Sequence, residues 1–325
     1  MTWVAWRQHR AQLLLMAAVL LLGVVAVLVL HTSMLQQIQA QGLERCLAVG
    51  VQGPGCATGV SDFRDEWFDL LRVGQLVIVV LPVLLGVFSG APLFAREIEH
   101  GTHVLAFAQS VSRVGWMAAK LVMLVVPSLV VLVVLQLLVS SWVADAGLMG
   151  PLVDSPFSFL NFESTGWMPA VHLLFGYAVG ALLGAVLGRS LPAMISTLAG
   201  LVAVRGAVGL AGPALMPSQL RTSTDPMSAP ESGVDEVVQV GYLGADGRTI
   251  PEGGFNAAVC GSRGDVPVST FDPAQCYAQH GVVGQYAEVV PASYVPILQL
   301  IESGVLGVVA VLLLGGTAWA LRRQH

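Results

Sequence analysis

Along the chain, long uninterrupted apolar runs alternate with short polar segments. Six of these runs come close to or exceed the ~20 residues needed to cross a hydrocarbon layer roughly 30 Å thick: Ala11–Leu30, Val73–Phe94, Met117–Val139, Met168–Leu187, Leu191–Leu210 and Tyr294–Leu321. Each reads as a transmembrane helix. Only Gly188-Arg189-Ser190 separates the fourth run from the fifth, which predicts a tight helical hairpin. A cleaved signal peptide is the alternative for the first run. Its apolar region is too long for one, and no Ala-x-Ala site follows it.

Composition agrees with the pattern. Hydrophobic residues make up 55% of the 325, charged residues only 11%, and mean hydropathy is +0.76. A soluble domain carries roughly 25% charged residues to cover its surface. A bilayer removes that need. The expected fold class is therefore an all-α integral membrane protein with six transmembrane helices.

Orientation follows from the positive charges. With the N-terminus inside, Arg7, Arg10, Arg96, Arg113, Lys120, Arg189, Arg322 and Arg323 fall on short cytoplasmic segments. Arg45, Arg64, Arg72, Arg221, Arg248 and Arg263 are spread over much longer segments on the other side. The denser side is the inner one, so both termini are expected in the cytoplasm. The domain layout follows. Residues 1–10, with Trp3 and Trp6 among bases, form an interfacial N-terminal helix. Residues 11–211 hold helices one to five, with outer loops at 32–72 and 140–167 and a cytoplasmic segment at 95–116. Residues 212–293 form a small, mostly irregular extracellular domain with β-like pieces such as Val237–Tyr242. Residues 294–325 are the sixth helix and a cytoplasmic tail. In the first outer loop, Ser61–Arg72 reads as an amphipathic helix capped by Ser61, with Phe63, Trp67 and Leu70/Leu71 on one face.

All four cysteines then lie on the oxidising side. Their proximity in sequence predicts Cys46–Cys56 and Cys260–Cys276 disulfides, with free thiols as the alternative. These spacings do not match zinc ligand pairs, and no metal is assigned. Arg263-Gly264-Asp265 reads as a turn.

The net charge of −5 and the absence of basic runs offer nothing to nucleic acid. Lys120 is the chain's only lysine and stands in Ala-Ala-Lys-Leu-Val. No Gly-x-x-x-x-Gly-Lys-[Ser/Thr] surrounds it, so this sequence provides no P-loop for ATP. His-Glu-x-x-His and Gly-x-Ser-x-Gly are also missing, so no catalytic residue is assigned.

Within the spans, Arg205 and Glu302 each lie roughly 10 Å below the outer ends of their helices. A charge at that depth must be paired or face a cavity. The expected arrangement is an Arg205–Glu302 pair with Gln299 nearby, serving as a staple or lining the substrate path. Gly176, Gly180, Gly184 and Gly188 recur every fourth residue and form a smooth stripe for close helix packing, within the chain first and across a dimer second. His172 reads as a satisfied interfacial histidine.

The segment between spans two and three is the most distinctive: Phe94-Ala-Arg96-Glu97-Ile-Glu99-His100-Gly101-Thr102, an apolar stretch, then Gln109-Ser110-Val-Ser112-Arg113. By its residues it is a helix running out of the membrane to Glu99 and broken at Gly101, with Thr102 capping a second short helix. A plain solvated loop is equally compatible. The run resembles the signature of ABC-2 type transporter permeases, particularly short actinobacterial ones. Trp6-Arg-Gln-His-Arg10, Pro291-Ala-Ser-Tyr-Val-Pro-Ile-Leu-Gln-Leu-Ile-Glu302 and Trp319-Ala-Leu-Arg-Arg323 agree with it in the right order. The resemblance implies a type V exporter-like permease that has no cofactor of its own and pairs as a dimer. A separate ATPase subunit, in two copies, would bind ATP and Mg. It also implies that Glu97, Glu99, Gly101, Thr102 and Arg113 couple to that ATPase. The expected function is export of a hydrophobic substrate: an antibiotic, a lipid or a lipopeptide. The alternative is a membrane sensor or scaffold whose outer domain binds a ligand or protein.

Overall fold

A computed structural model describes residues 2–101, 112–211, 216–225, 230, 235–252, 276–277 and 279–323. Two compact units emerge. One comprises residues 1–154, 158–210 and 299–325, and the other residues 155–157 and 211–298.

Helices dominate the first unit: α1 (Thr2–Ala40), α2 (Ala57–Leu85), α3 (Pro92–Glu99), α4 (Arg113–Ala146), α5 (Phe159–Ser164), α6 (Met168–Leu187), α7 (Ser190–Ala211) and α8 (Val295–Arg323). Among the described residues, six helical segments are long and apolar enough to cross a membrane, as the hydropathy pattern predicts. Helix α1 runs unbroken from Thr2 to Ala40 and so is continuous with the first span. No glycine or proline interrupts the start of that run.

The amphipathic segment before the second span belongs to the same helix as the span. Its buried positions Val60, Phe63, Trp67, Leu71, Gln75, Ile78 and Pro82 recur every three or four residues, which keeps one stripe turned inward. Ser61 is not the cap. Helix α2 already begins at Ala57, and the Ser61 hydroxyl donates to the Thr58 carbonyl. Just before α2, Cys46 and Cys56 form a disulfide with Cα atoms 5.8 Å apart. Both are about 1% exposed, in a core with Phe63, Trp142 and Met149. There, Trp67 meets Trp142 edge to face and donates to Gln37 at 2.7 Å. Cys260 lies outside the described residues, as do Thr102 and Arg263–Asp265.

The second span is broken. Residues Gly86–Gly90 make a π turn, in which the Ala91 N–H reaches back five residues to the Gly86 carbonyl at 3.0 Å. Pro92 follows at the start of α3, where its missing N–H costs least. Helix α6 lies directly against this break. A Cβ added at Gly176 would sit 3.2 Å from the Pro82 carbonyl oxygen, and one at Gly180 would sit 2.6 Å from that of Gly86. At Gly184 it would collide with the carbonyl of Ala91, and at Gly188 it would touch Ile98. The glycine stripe therefore packs within the chain, against the α2–α3 junction, backbone to backbone. Gly188 also adopts the left-handed conformation (φ 60°) that closes α6 and starts the hairpin to α7.

The second unit is more regular than its composition suggests. Strands β1 (Gln219–Ser223), β2 (Glu236–Gly244), β3 (Thr249–Pro251) and β4 (Val282–Val290) form one antiparallel sheet in the order β1-β4-β2-β3. Arg221 pairs with Asp235, which also accepts from the Ala292 N–H at 2.8 Å and so ties β1 to the stretch that enters α8.

Gly180→Val should lower the thermal unfolding midpoint of the detergent-solubilised protein, at a cost of about 1–3 kcal/mol for overpacking. Gly206→Ala, where nothing lies within 4 Å of an added Cβ, should leave it unchanged. Equal midpoints for the two variants would contradict the close approach. Non-reducing peptide mapping should recover Cys46 linked to Cys56.

Candidate functional site

Two groups of polar side chains are built into the helical unit. The first centres on α5 and the residues just after it. This short helix buries Asn161, Phe162, Glu163 and Ser164, and its last carbonyls have no partner within so short a helix. Neighbouring spans supply partners. Gln299 of α8 donates to the Phe162 carbonyl at 3.1 Å and to the Thr165 hydroxyl at 3.3 Å. Gln136 of α4 donates to the Gly166 carbonyl at 2.6 Å, and Gln75 of α2 donates to Asn161 at 2.8 Å. The segment Phe159–Gly166 thus acts as a hub for three helices, and a fourth joins through Arg205.

Arg205 completes the hub. Its guanidinium pairs with the carboxylate of Glu163 and also donates to the Val79 carbonyl at 2.8 Å, three residues before Pro82 loosens α2. This corrects the sequence-based pairing: the partner of Arg205 is Glu163, not Glu302. The expectation failed because Glu163 sits beyond the apolar runs, in a stretch read as an outer loop. The available signal was a single acid among the apolar and aromatic residues Phe159-Leu-Asn-Phe-Glu-Ser. Only 5% of the Glu163 side chain is exposed, so its charge must be balanced locally.

His172 lies between the two acids. Its Nδ1 is 2.9 Å from the Met168 carbonyl and 3.4 Å from Glu163, while its Nε2 is 3.4 Å from Glu302 Oε1. Among the described residues, that buried Glu302 oxygen has no hydrogen-bond partner. Arg205, Glu163, His172, Glu302 and Gln299 therefore form one buried cluster drawn from α5, α6, α7 and α8.

The second group lies at the opposite end of the helices. Glu97 of α3 pairs with Lys120 of α4, whose ammonium also stands 4.5 Å from the centre of the Trp116 ring. Glu99 accepts from the backbone N–H of Ser190 at 3.0 Å and from its hydroxyl at 2.8 Å, where a carboxylate favours the start of α7. Arg113 donates to the carbonyls of Leu321 and Arg322 at 2.9 Å each, a fit to the carbonyl end of α8. Ser112 caps α4 by accepting from the Gly115 N–H at 3.1 Å. Gly101 terminates α3 at φ 69°, a conformation that glycine adopts without strain. Glu97, Glu99 and Arg113 thus form three clasps that join α3 to α4, α3 to α7, and α4 to α8, while Gly101 only ends α3.

The side chains define a sharp test of the buried pair. Arg205→Met strands the Glu163 charge and should cost about 3–5 kcal/mol, whereas Arg205→Met combined with Glu163→Gln should recover most of that loss. Combining Arg205→Met with Glu302→Gln should recover far less. Unfolding midpoints in detergent measure both cycles, and equal recovery would sink the assignment.

Comparison with known proteins adds the family. The family model described as ABC-2 membrane transporter related matches residues 17–211. No curated protein and no solved structure matches the chain. The matched stretch holds the α2–α3 break, the glycine stripe, the 96–113 end and the Arg205–Glu163 pair, and covers more than half of the sequence. This chain belongs to the ABC-2 membrane transporter related family.

Proposed function

We propose that the chain is the permease subunit of an ATP-driven exporter, of the type V kind, and that a separate ATPase docks at its 96–113 end. The observation that carries this reading is the set of three clasps there. Through Glu97–Lys120, Glu99–Ser190 and Arg113–Leu321, force applied between α3 and α4 reaches α4, α7 and α8 together. Closure of two ATPase subunits on ATP and Mg would tilt these helices and shift the balance between two states of the permease. The contribution of this chain is a different substrate affinity in each state.

The positive charges favour an inner location for the 96–113 end and for both termini. On that orientation residues 32–72, which hold the disulfide, and residues 212–293 are extracellular segments. Two copies of the chain would frame the path. A hydrophobic substrate fits a cleft of about 280 Å³ between α1, α2 and α4, walled by Leu15, Val19, Leu84 and Phe88. Gln12, Ser89 and Ser128 are its polar lining residues, and Ser128 shares a 2.8 Å hydrogen bond with Tyr177.

Glu99→Ala and Gly101→Pro should each reduce substrate-stimulated ATP hydrolysis of the co-purified complex by about fivefold or more, the scale of a typical coupling energy. Unstimulated hydrolysis should change little. A chain that purifies without any ATPase and moves no substrate would favour the sensor or scaffold reading instead.

A further inference from the structure

The Glu163–His172–Glu302 cluster contains a mismatch that the Arg205–Glu163 pair does not resolve. The Met168 carbonyl can only accept, so the His172 Nδ1 at 2.9 Å must carry the proton. In the neutral ring this leaves Nε2 as a bare lone pair. That lone pair faces Glu302 Oε1, another acceptor, 3.4 Å away. Among the described residues Glu302 Oε1 has no hydrogen-bond partner, and the Glu302 side chain is only 6% exposed. Two buried acceptors turned toward each other call for a cation between them.

The spacing points to the kind of cation. A shared proton would draw the two atoms to about 2.7–3.0 Å. Two metal–ligand bonds of about 2.1 Å at a near-tetrahedral angle span about 3.4 Å. One candidate ligand atom each from Glu163, His172 and Glu302 lie within 4.8 Å of one another. Arg205 engages Glu163 through Oε2. The Nδ1–H bond to Met168 fixes the tautomer and ring orientation, as the outer partners of ligating histidines do. Charge is compatible as well: with both carboxyl groups ionised, one guanidinium leaves one negative charge for a cation to balance.

We infer that Glu163, His172 and Glu302 bind a divalent transition-metal ion through one imidazole nitrogen and two carboxylate oxygens. Zinc is the natural probe, and solvent fills the open position. Bound there, the ion joins α5, α6 and α8, and braces the start of α8 against the hub.

The test uses the full chain, purified in detergent with a tag that contains no histidine and loaded with zinc before desalting. Elemental analysis should find about one zinc per chain, and His172→Ala and Glu302→Gln should each weaken zinc binding about tenfold or more. Wild-type protein that retains no zinc, or variants that bind it like the wild type, would overturn the proposal. X-ray absorption on the zinc-loaded wild type guards against misfolded variants. A shell of nitrogen and oxygen with a single imidazole supports the site, while sulfur or a second imidazole places the zinc elsewhere and refutes it.

Discussion

The close approach of α6 to the broken second span sets the rest of the helical unit. Gly176, Gly180 and Gly184 bring one backbone against the carbonyls of Pro82, Gly86 and Ala91. Apolar side chains gain little from meeting each other in lipid, so close packing and polar contacts must hold the helices together. A stripe without side chains lets the backbones touch. The π turn at Gly86–Gly90 supplies the matching surface, and Pro92 restarts the helix beyond it. Moving that junction by even one side chain would displace both polar groups. Glu97 and Glu99 would leave Lys120 and Ser190, and the Val79 carbonyl would leave Arg205.

Water is absent from most of this unit's surroundings, so its polar groups must satisfy one another. The short helix α5 concentrates that demand. Its freed carbonyls and its acid recruit Gln75, Gln136, Gln299 and Arg205 from four different spans. Such a hub is costly to assemble and costly to break, since removing one partner leaves another buried and uncompensated. It resists separation of the spans at one end, while the clasps at Glu97, Glu99 and Arg113 link them at the other. In the proposed mechanism, force enters through the clasps and the hub acts as the fixed point.

The spans were legible in the sequence because bilayer thickness imposes a length that few other structures require. The glycine stripe was legible for a similar reason, since a repeat of four on a helix has one meaning: a groove. Three features were not legible. The start of α2 was read four residues late, at Ser61, although the inward period of Phe63 and Trp67 was correct. The sheet was read as mostly irregular because its long strand β4, Val-Val-Gly-Gln-Tyr-Ala-Glu-Val-Val, is paired on both edges and lacks a clean alternation of apolar and polar residues. The partner of Arg205 was missed because local patterns say nothing about contacts across 42 residues. Depth alone pointed to Glu302, whereas the structure brings in Glu163 from outside the hydrophobic runs.

The account depends most on what meets the 96–113 end. A photo-crosslinking amino acid placed at His100 in the native membrane should capture a P-loop ATPase, and ATP should alter the yield. The same probe at Arg45, beside the disulfide, should capture none. Capture at Arg45, or the absence of any ATPase at His100 in cells that are transporting, would contradict the proposed role.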